Sequence, residues 1–287
     1  MRKKCEKFRN FVTDFYLRKM DFNKVLYVSQ EISPYLPASK LAKSCEYLPQ
    51  QIQEAGYEVR TFMPKYGFIN ERRNQLHEVI RLSGVNIIID DTDHPLVIKV
   101  ATLQPARLQV YFIFNDDYFA KNITKDLEIN TSPDDNDERS IFFVRSVLET
   151  VKKLRWVPDV IHCAGWITAL TSVYLKNVYN EDPTFRDAKV VFSIYDNDLV
   201  APMDVRMAEK LAADGVSEAN TADIMGKAVD YKDLVKLAIA NSDGIIQRCE
   251  TLDPELEQYI KDSGKPFIPY TADEIDPQSL IDFYKLL

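Results

Sequence analysis

The sequence predicts an α/β protein: a Rossmann-like, doubly wound, mostly parallel sheet with inserted antiparallel hairpins. Three observations predict it. Apolar runs of strand length alternate with stretches of helical apolar spacing. The first three such elements form a strand–helix–strand unit, whose crossover is right-handed and makes its two strands parallel. One stretch, Leu76 to Phe114, breaks this rhythm with consecutive strand-like runs joined by turn signals.

In chain order, "KVLYVS" is a strand, and Ser39 to Ala55 has helical spacing through Leu41, Cys45, Leu48 and Ile52, closed by Gly56 where a helix-terminal glycine belongs. "YEVRTFMP" is the second strand. "EVIRL", "VNIIID", "LVIKVATL" and "LQVYFIF" read as hairpin strands separated by "SG", "DDTDHP" and "QPAR". "INTSPDDND", Ile129 to Asp137, is a polar loop before a helix from about Glu138 to Leu154 whose apolar face holds Ile141, Val144, Val147, Leu148 and Val151. Alternation then resumes with "PDVIHC", "WITALTSVYLKNVY", "AKVVFSIY", "YKDLVKLAIAN" and "GIIQRC". "DPELEQYIKDSG" is a helix with Asp253 as cap and Pro254 at its first position, "KPFIPY" a short last strand, and "DPQSLIDFYKLL" a terminal helix. The expected division is a basic extension over 1–20, one domain over 21–270, and a helix within 271–287 packing on that domain.

Composition narrows the function classes. The chain has 287 residues, is 46% hydrophobic and 28% charged, and carries a net charge of -8, so the basic footprint of a nucleic-acid binder is missing. No run of about 18 apolar residues occurs, so no membrane span is expected. The first twenty residues are basic, with Phe8, Phe11, Val12, Phe15 and Tyr16 at helical spacing, and lack the apolar core and cleavage site of a secretory signal. Cys5, Cys45, Cys163 and Cys249 lack pair spacing and suit thiols in a reducing cytoplasm, which is the expected location. Three histidines and no C-x-x-C leave no structural zinc site, and no metal or cofactor is expected. "DDTD" and "DDND" lack the glycine and terminal glutamate of a calcium loop and read as solvated turns.

In an open α/β sheet ligands bind beyond the carboxyl ends of the strands. Three such ends stand out: "SQEISPYLPASK", "HCAGW" and "YDNDLVAPMD". A Cys163–His162 nucleophile pair is opposed by geometry, because neighbours on an extended strand point to opposite faces.

Here the chain resembles a family. "VLYVSQEISPY…LAKSCEYLPQQIQEAGYEVRTFMPKY", "VYFIFNDDYF", "DNDERSIFFVRSVLE", "PDVIHCAGWITALTSVYLK" and "VVFSIYDN" match, in order, segments of ADP-glucose-type glycogen and starch synthases, glycosyltransferases of the two-lobed GT-B fold. The resemblance runs from about Lys24 to Ile260 and implies a single GT-B N-terminal lobe. It also locates departures. The family's K-T-G-G-L-[GA]-D falls on Pro37 to Lys43, so its phosphate-contacting lysine is Pro37 and its two glycines are Ser39 and Lys40. A turn without glycine does not readily take φ > 0 or admit phosphate oxygens close to its backbone. The family's H-x-H-D-W becomes His162, Cys163, Ala164, Gly165 and Trp166, and the histidine and asparagine of I-H-N become Tyr195 and Asp196. The chain also ends about where the family's first lobe would hand over to its second.

The resemblance leaves two expectations open. One is a degenerate stand-alone lobe that binds glucan or a protein partner in storage-polysaccharide metabolism. The other is an active glucosyltransferase moving glucose from ADP-glucose to an α-1,4-glucan, with or without a separate second lobe. The candidate substrate-binding residues are Glu31, Lys40, Lys43, His162, Trp166 and Tyr195, and no catalytic residue is assigned.

Overall fold

The computed structural model describes residues 22–120, 135–196, 199, 201–272 and 274–287. The basic extension and residues 129–134 of the polar loop lie outside the described residues. Strand β1 (Lys24–Ser29) has a buried apolar run from Val25 to Val28. Helix α1 (Lys40–Glu54) follows because Ser39 caps it, its hydroxyl accepting from the Ala42 amide at 2.9 Å, and because Leu41, Cys45, Leu48 and Ile52 form one buried face. It stops at Ala55 and Gly56, whose φ of 99° suits only glycine comfortably. Strand β2 (Glu58–Pro64) then lies parallel to β1, with Lys24 opposite Glu58.

The hairpin region is where the sequence reading needs correction. Strand β3 is only His77–Glu78, so "EVIRL" is mostly turn. β4 (Asn86–Ile89) pairs with β5 (Thr92–Pro95) in a separate two-stranded sheet, so only Asp90 and Asp91 of "DDTDHP" form the turn. Their φ values of 46° and 62° are those of a two-residue hairpin turn, which aspartate tolerates. β6 (Val97–Leu103) and β7 (Leu108–Phe114) are the expected antiparallel pair, and β7 joins the sheet parallel to β2.

A π-helical turn, Asp116–Ala120, follows β7. Helix α2 (Asn136–Leu154) begins two residues earlier than expected, and β8 (Val160–Ala164) runs into a short 3-10 turn, Trp166–Thr168. Then come α3 (Leu170–Asn177), β9 (Lys189–Ile194), α4 (Met207–Ala213), α5 (Glu218–Thr221), α6 (Tyr231–Asn241), β10 (Gly244–Gln247), α7 (Pro254–Ser263), β11 (Phe267–Ile268) and α8 (Pro277–Leu286). No element is legible in the sequence for α4 or α5. The Asp253 cap and Pro254 start of α7 are as expected.

The sheet order is β11-β10-β9-β8-β1-β2-β7-β6-β3. The chain moves outward one way from β1 through β2 and the other way from β8 through β9 and β10. The topological switch point therefore lies between the carboxyl ends of β1 and β8. Helices cover both faces. On β8, His162 meets Tyr284 of α8, while its neighbour Cys163 meets Thr171 of α3. α8 lies over β10 closely enough that a Cβ on Gly244 would come within 2.8 Å of the Phe283 ring. Among the described residues no helix is long and apolar enough to cross a membrane.

Candidate functional site

The switch point is filled by the protein itself. Gln30, the residue after β1, is fully buried, and its amide donates to the Ala164 carbonyl at 2.9 Å, extending the ladder to the end of β8. Its side-chain oxygen lies 3.5 Å from the Ile167 amide. Gly165 accommodates it: with φ of 96°, a Cβ there would sit 2.5 Å from the Gln30 Cβ. Gly165→Ala is therefore expected to lower stability by about 2–4 kcal/mol, from positive-φ strain plus overpacking. Urea unfolding measures it, and a loss below about 0.5 kcal/mol would contradict the packing described.

Beside this plug, the ends of β1, β9 and β10 and the start of α1 enclose a cavity of about 250 Å³ lined by Glu31, Ser39, Lys40, Tyr195, Asp196 and Arg248. Glu31 is 9% exposed, and the Ser39 hydroxyl donates to its carboxylate at 2.6 Å while accepting from the Ala42 amide. Burial holds the Glu31 carboxyl above its ordinary range, with the Ser39 and Gln30 hydrogen bonds pulling the other way. Burial also pushes the Tyr195 hydroxyl up to about 12, against opposing hydrogen bonds with Ser44 and Arg248. The Arg248 guanidinium is buried and donates to the Ser44 hydroxyl at 3.2 Å. A wider cavity of about 480 Å³ opens past Tyr195 and Asp196 over the ends of β9 and β10, floored by Leu199, Leu252 and Leu256.

Of the candidate residues, the structure brings Glu31, Lys40 and Tyr195 to one cavity. Lys43 is exposed on the first turn of α1 and does not line it. Trp166 is buried at 1% exposure in the turn after β8. His162 is buried between the sheet and α8, its Nδ1 2.6 Å from the Tyr284 hydroxyl and its Nε2 2.6 Å from the Ser193 hydroxyl. Burial, with a smaller effect from Arg248, lowers its pKa to about 3, so the ring is neutral and structural at ordinary pH. Burial pushes the Cys163 thiol up to about 12, which removes it as a nucleophile. Sequence reasoning missed Arg248 and Gln30. The signal for Arg248 was available, a charged residue directly after the apolar "GII" of a parallel strand.

Comparison with known proteins fits this layout. A profile described as "Starch synthase catalytic domain" matches residues 24–258. The chain belongs to the starch synthase catalytic domain family. A glycogen synthase of Pelodictyon phaeoclathratiforme is 37% identical over 218 residues, which is 74% of this chain and 45% of that protein. A glycogen synthase of Chlorobium luteolum is 39% identical over 197 residues, 68% of this chain and 40% of that protein. The chain thus spans less than half the length of these glycogen synthases. The solved catalytic domain of starch synthase IV from Arabidopsis thaliana, bound to ADP and acarbose, superposes with a TM-score of 0.68 at 21% identity, covering 87% of this chain and 51% of that one. The fold is that of one GT-B glycosyltransferase lobe.

Within the starch synthase family frame, the substituted positions acquire geometry. Ser39, at the place of a family glycine, closes the start of α1 with its own side chain. Ala164, at the place of a family histidine, is 2% exposed and offers no polar group, and Gly165 faces Gln30. Among the described residues, the cations on the cavity are Lys40 and Arg248.

Proposed function

We propose that this chain is a starch/glycogen synthase lobe that binds α-glucan and does not itself transfer glucose, its domain spanning 21–270 with the helix of 271–287 packed on it. One observation carries the reading: Gln30 fills the switch-point crevice against Gly165, where an open α/β sheet receives its ligand. Ser39 adds to it, since the helix terminus that would otherwise face a phosphate is satisfied from within. Glucosyl transfer needs a leaving diphosphate stabilised by preorganised donors, and each donor lost costs about 10²–10³ in rate.

A second reading, transfer of glucose from ADP-glucose, is favoured by Lys40 and Arg248 sharing one cavity. Two cations there attract an anionic donor even without a glycine turn. Titration calorimetry with maltohexaose and ADP-glucose side by side separates the readings. Saturable heat is expected with maltohexaose and none with ADP-glucose. Saturable ADP-glucose binding abolished by Lys40→Ala would move the conclusion to the second reading, and silence with both ligands would remove the glucan role.

A further inference from the structure

We propose that the groove between the loops after β1 and β2 is a subsite for an α-glucan segment, with Phe68 as its stacking platform and Arg73 and Asn74 as its hydroxyl contacts. This rests on the glucan-binding reading and extends it to residues outside the substituted motifs. The groove has a volume of about 600 Å³, larger than either cavity described above. One wall is the turn bearing Pro34, Tyr35 and Pro37, and the other carries Phe68, Arg73 and Asn74.

Its chemistry suits a pyranose chain. A sugar ring has an apolar C–H face and a rim of hydroxyls, so it is held by an aromatic face with planar donor and acceptor groups beside it. Phe68 is half-buried and lies parallel to Tyr66, centroids 6.0 Å apart and planes 7° apart. Tyr66 is itself fixed, its hydroxyl donating to the Gln30 carbonyl at 3.0 Å. Gly67 presses the loop onto the π-helical turn, where a Cβ would meet the Ala120 carbonyl oxygen at 2.7 Å. The platform is therefore rigid before any ligand arrives, which lowers the ordering cost of binding.

The second half of the loop is also preorganised. The Arg73 amide donates to the Asn70 side chain at 2.9 Å, and the Asn74 side-chain amide donates to the Asn70 carbonyl at 2.8 Å. Arg73 is exposed and lines the groove, and among the described residues it makes no ion pair. Among the described residues the groove is lined by a single arginine and no carboxylate, which favours a neutral polyhydroxyl ligand over an anion. Its other wall continues through Pro37 into Ser39 and Lys40, so a chain held on Phe68 runs toward the cavity of Glu31.

The test is calorimetric titration of the full chain with maltohexaose, with thermal unfolding of each variant as a folding control. Phe68→Ala and Arg73→Ala are each expected to weaken binding about tenfold or more, about 1.4 kcal/mol. Phe68→Trp, which keeps a ring, is expected to stay within about threefold of wild type, as is Lys285→Ala on the remote face of α8. If Phe68→Ala does not fold, Arg73→Ala and Phe68→Trp decide the matter. Maltohexaose binding that all these variants leave unchanged would overturn the subsite while sparing the glucan reading. Absence of maltohexaose binding to the wild type would overturn both.

Discussion

Lys210→Met is expected to cost about 3–5 kcal/mol, enough to consume much of the stability of an ordinary domain. Lys210 on α4 is buried, and its amine lies 2.7 Å from the Asp137 carboxylate and 2.7 Å from that of Glu138, both at the start of α2. Asp137 is fully buried. Burial works against the Lys210 charge, yet the two carboxylates hold its amine above the ordinary lysine value. Burial likewise holds the Asp137 carboxyl above its usual range despite the lysine. Removing the amine leaves Asp137 with an uncompensated charge in the interior, and that, more than the lost attraction, sets the size of the effect. The double variant Lys210→Met with Asp137→Asn is therefore expected to recover at least about 1 kcal/mol over Lys210→Met alone. Urea unfolding of the four proteins of this cycle checks it. A loss under about 1 kcal/mol for the single variant would mean the pair is solvated rather than buried.

Acidification is the second large effect. His162 has its folded pKa lowered to about 3 from 6.5, chiefly by burial. The unfolded chain thus binds one more proton than the folded chain between those values. The contribution is fully present above pH 6.5 and is lost as pH falls through the window toward 3. One proton corresponds to about 1.4 kcal/mol per pH unit, so the ceiling is on the order of 5 kcal/mol. Glu31, Asp137 and Asp214, whose carboxyls burial holds up, act with the opposite sign, so the wild-type curve alone is a sum. His162→Gln isolates the histidine, because its amide hydrogen-bonds to Tyr284 and Ser193 without titrating. Wild type is expected to lose its advantage over this variant steadily from pH 7 to pH 4 in urea unfolding. Parallel curves would contradict the buried, neutral ring.

Much of the fold was legible because period and punctuation agreed along the chain. The Asp253–Pro254 start of α7 and the Ala55–Gly56 end of α1 are local signals that tertiary packing did not override. β5 was not legible, because "TDHP" is polar and becomes a strand only through pairing with β4. "EVIRL" shows the converse: Ile80 is apolar yet 83% exposed in a turn. The candidate site divides along similar lines. Glu31, Lys40 and Tyr195 stand at strand ends that the topology brings to one cavity, so strand-end position and the family motifs that fall there found them. His162 stood in an equally promising place, but its ring faces α8, and that helix is more than a hundred residues away in sequence. Gln30 escaped notice because only the sheet order puts it against Gly165.

The family relationship and the interior of the cleft point in different directions, and one measurement decides between them. The purified chain is incubated with radiolabelled ADP-glucose and glycogen, and label is counted in the polymer over time. The glucan-binding reading proposed above, resting on Gln30 packed against Gly165 and the Ser39 cap on the helix start, predicts counts that stay at the protein-free blank. Incorporation that rises with time and protein amount, and that Glu31→Gln abolishes, would contradict it.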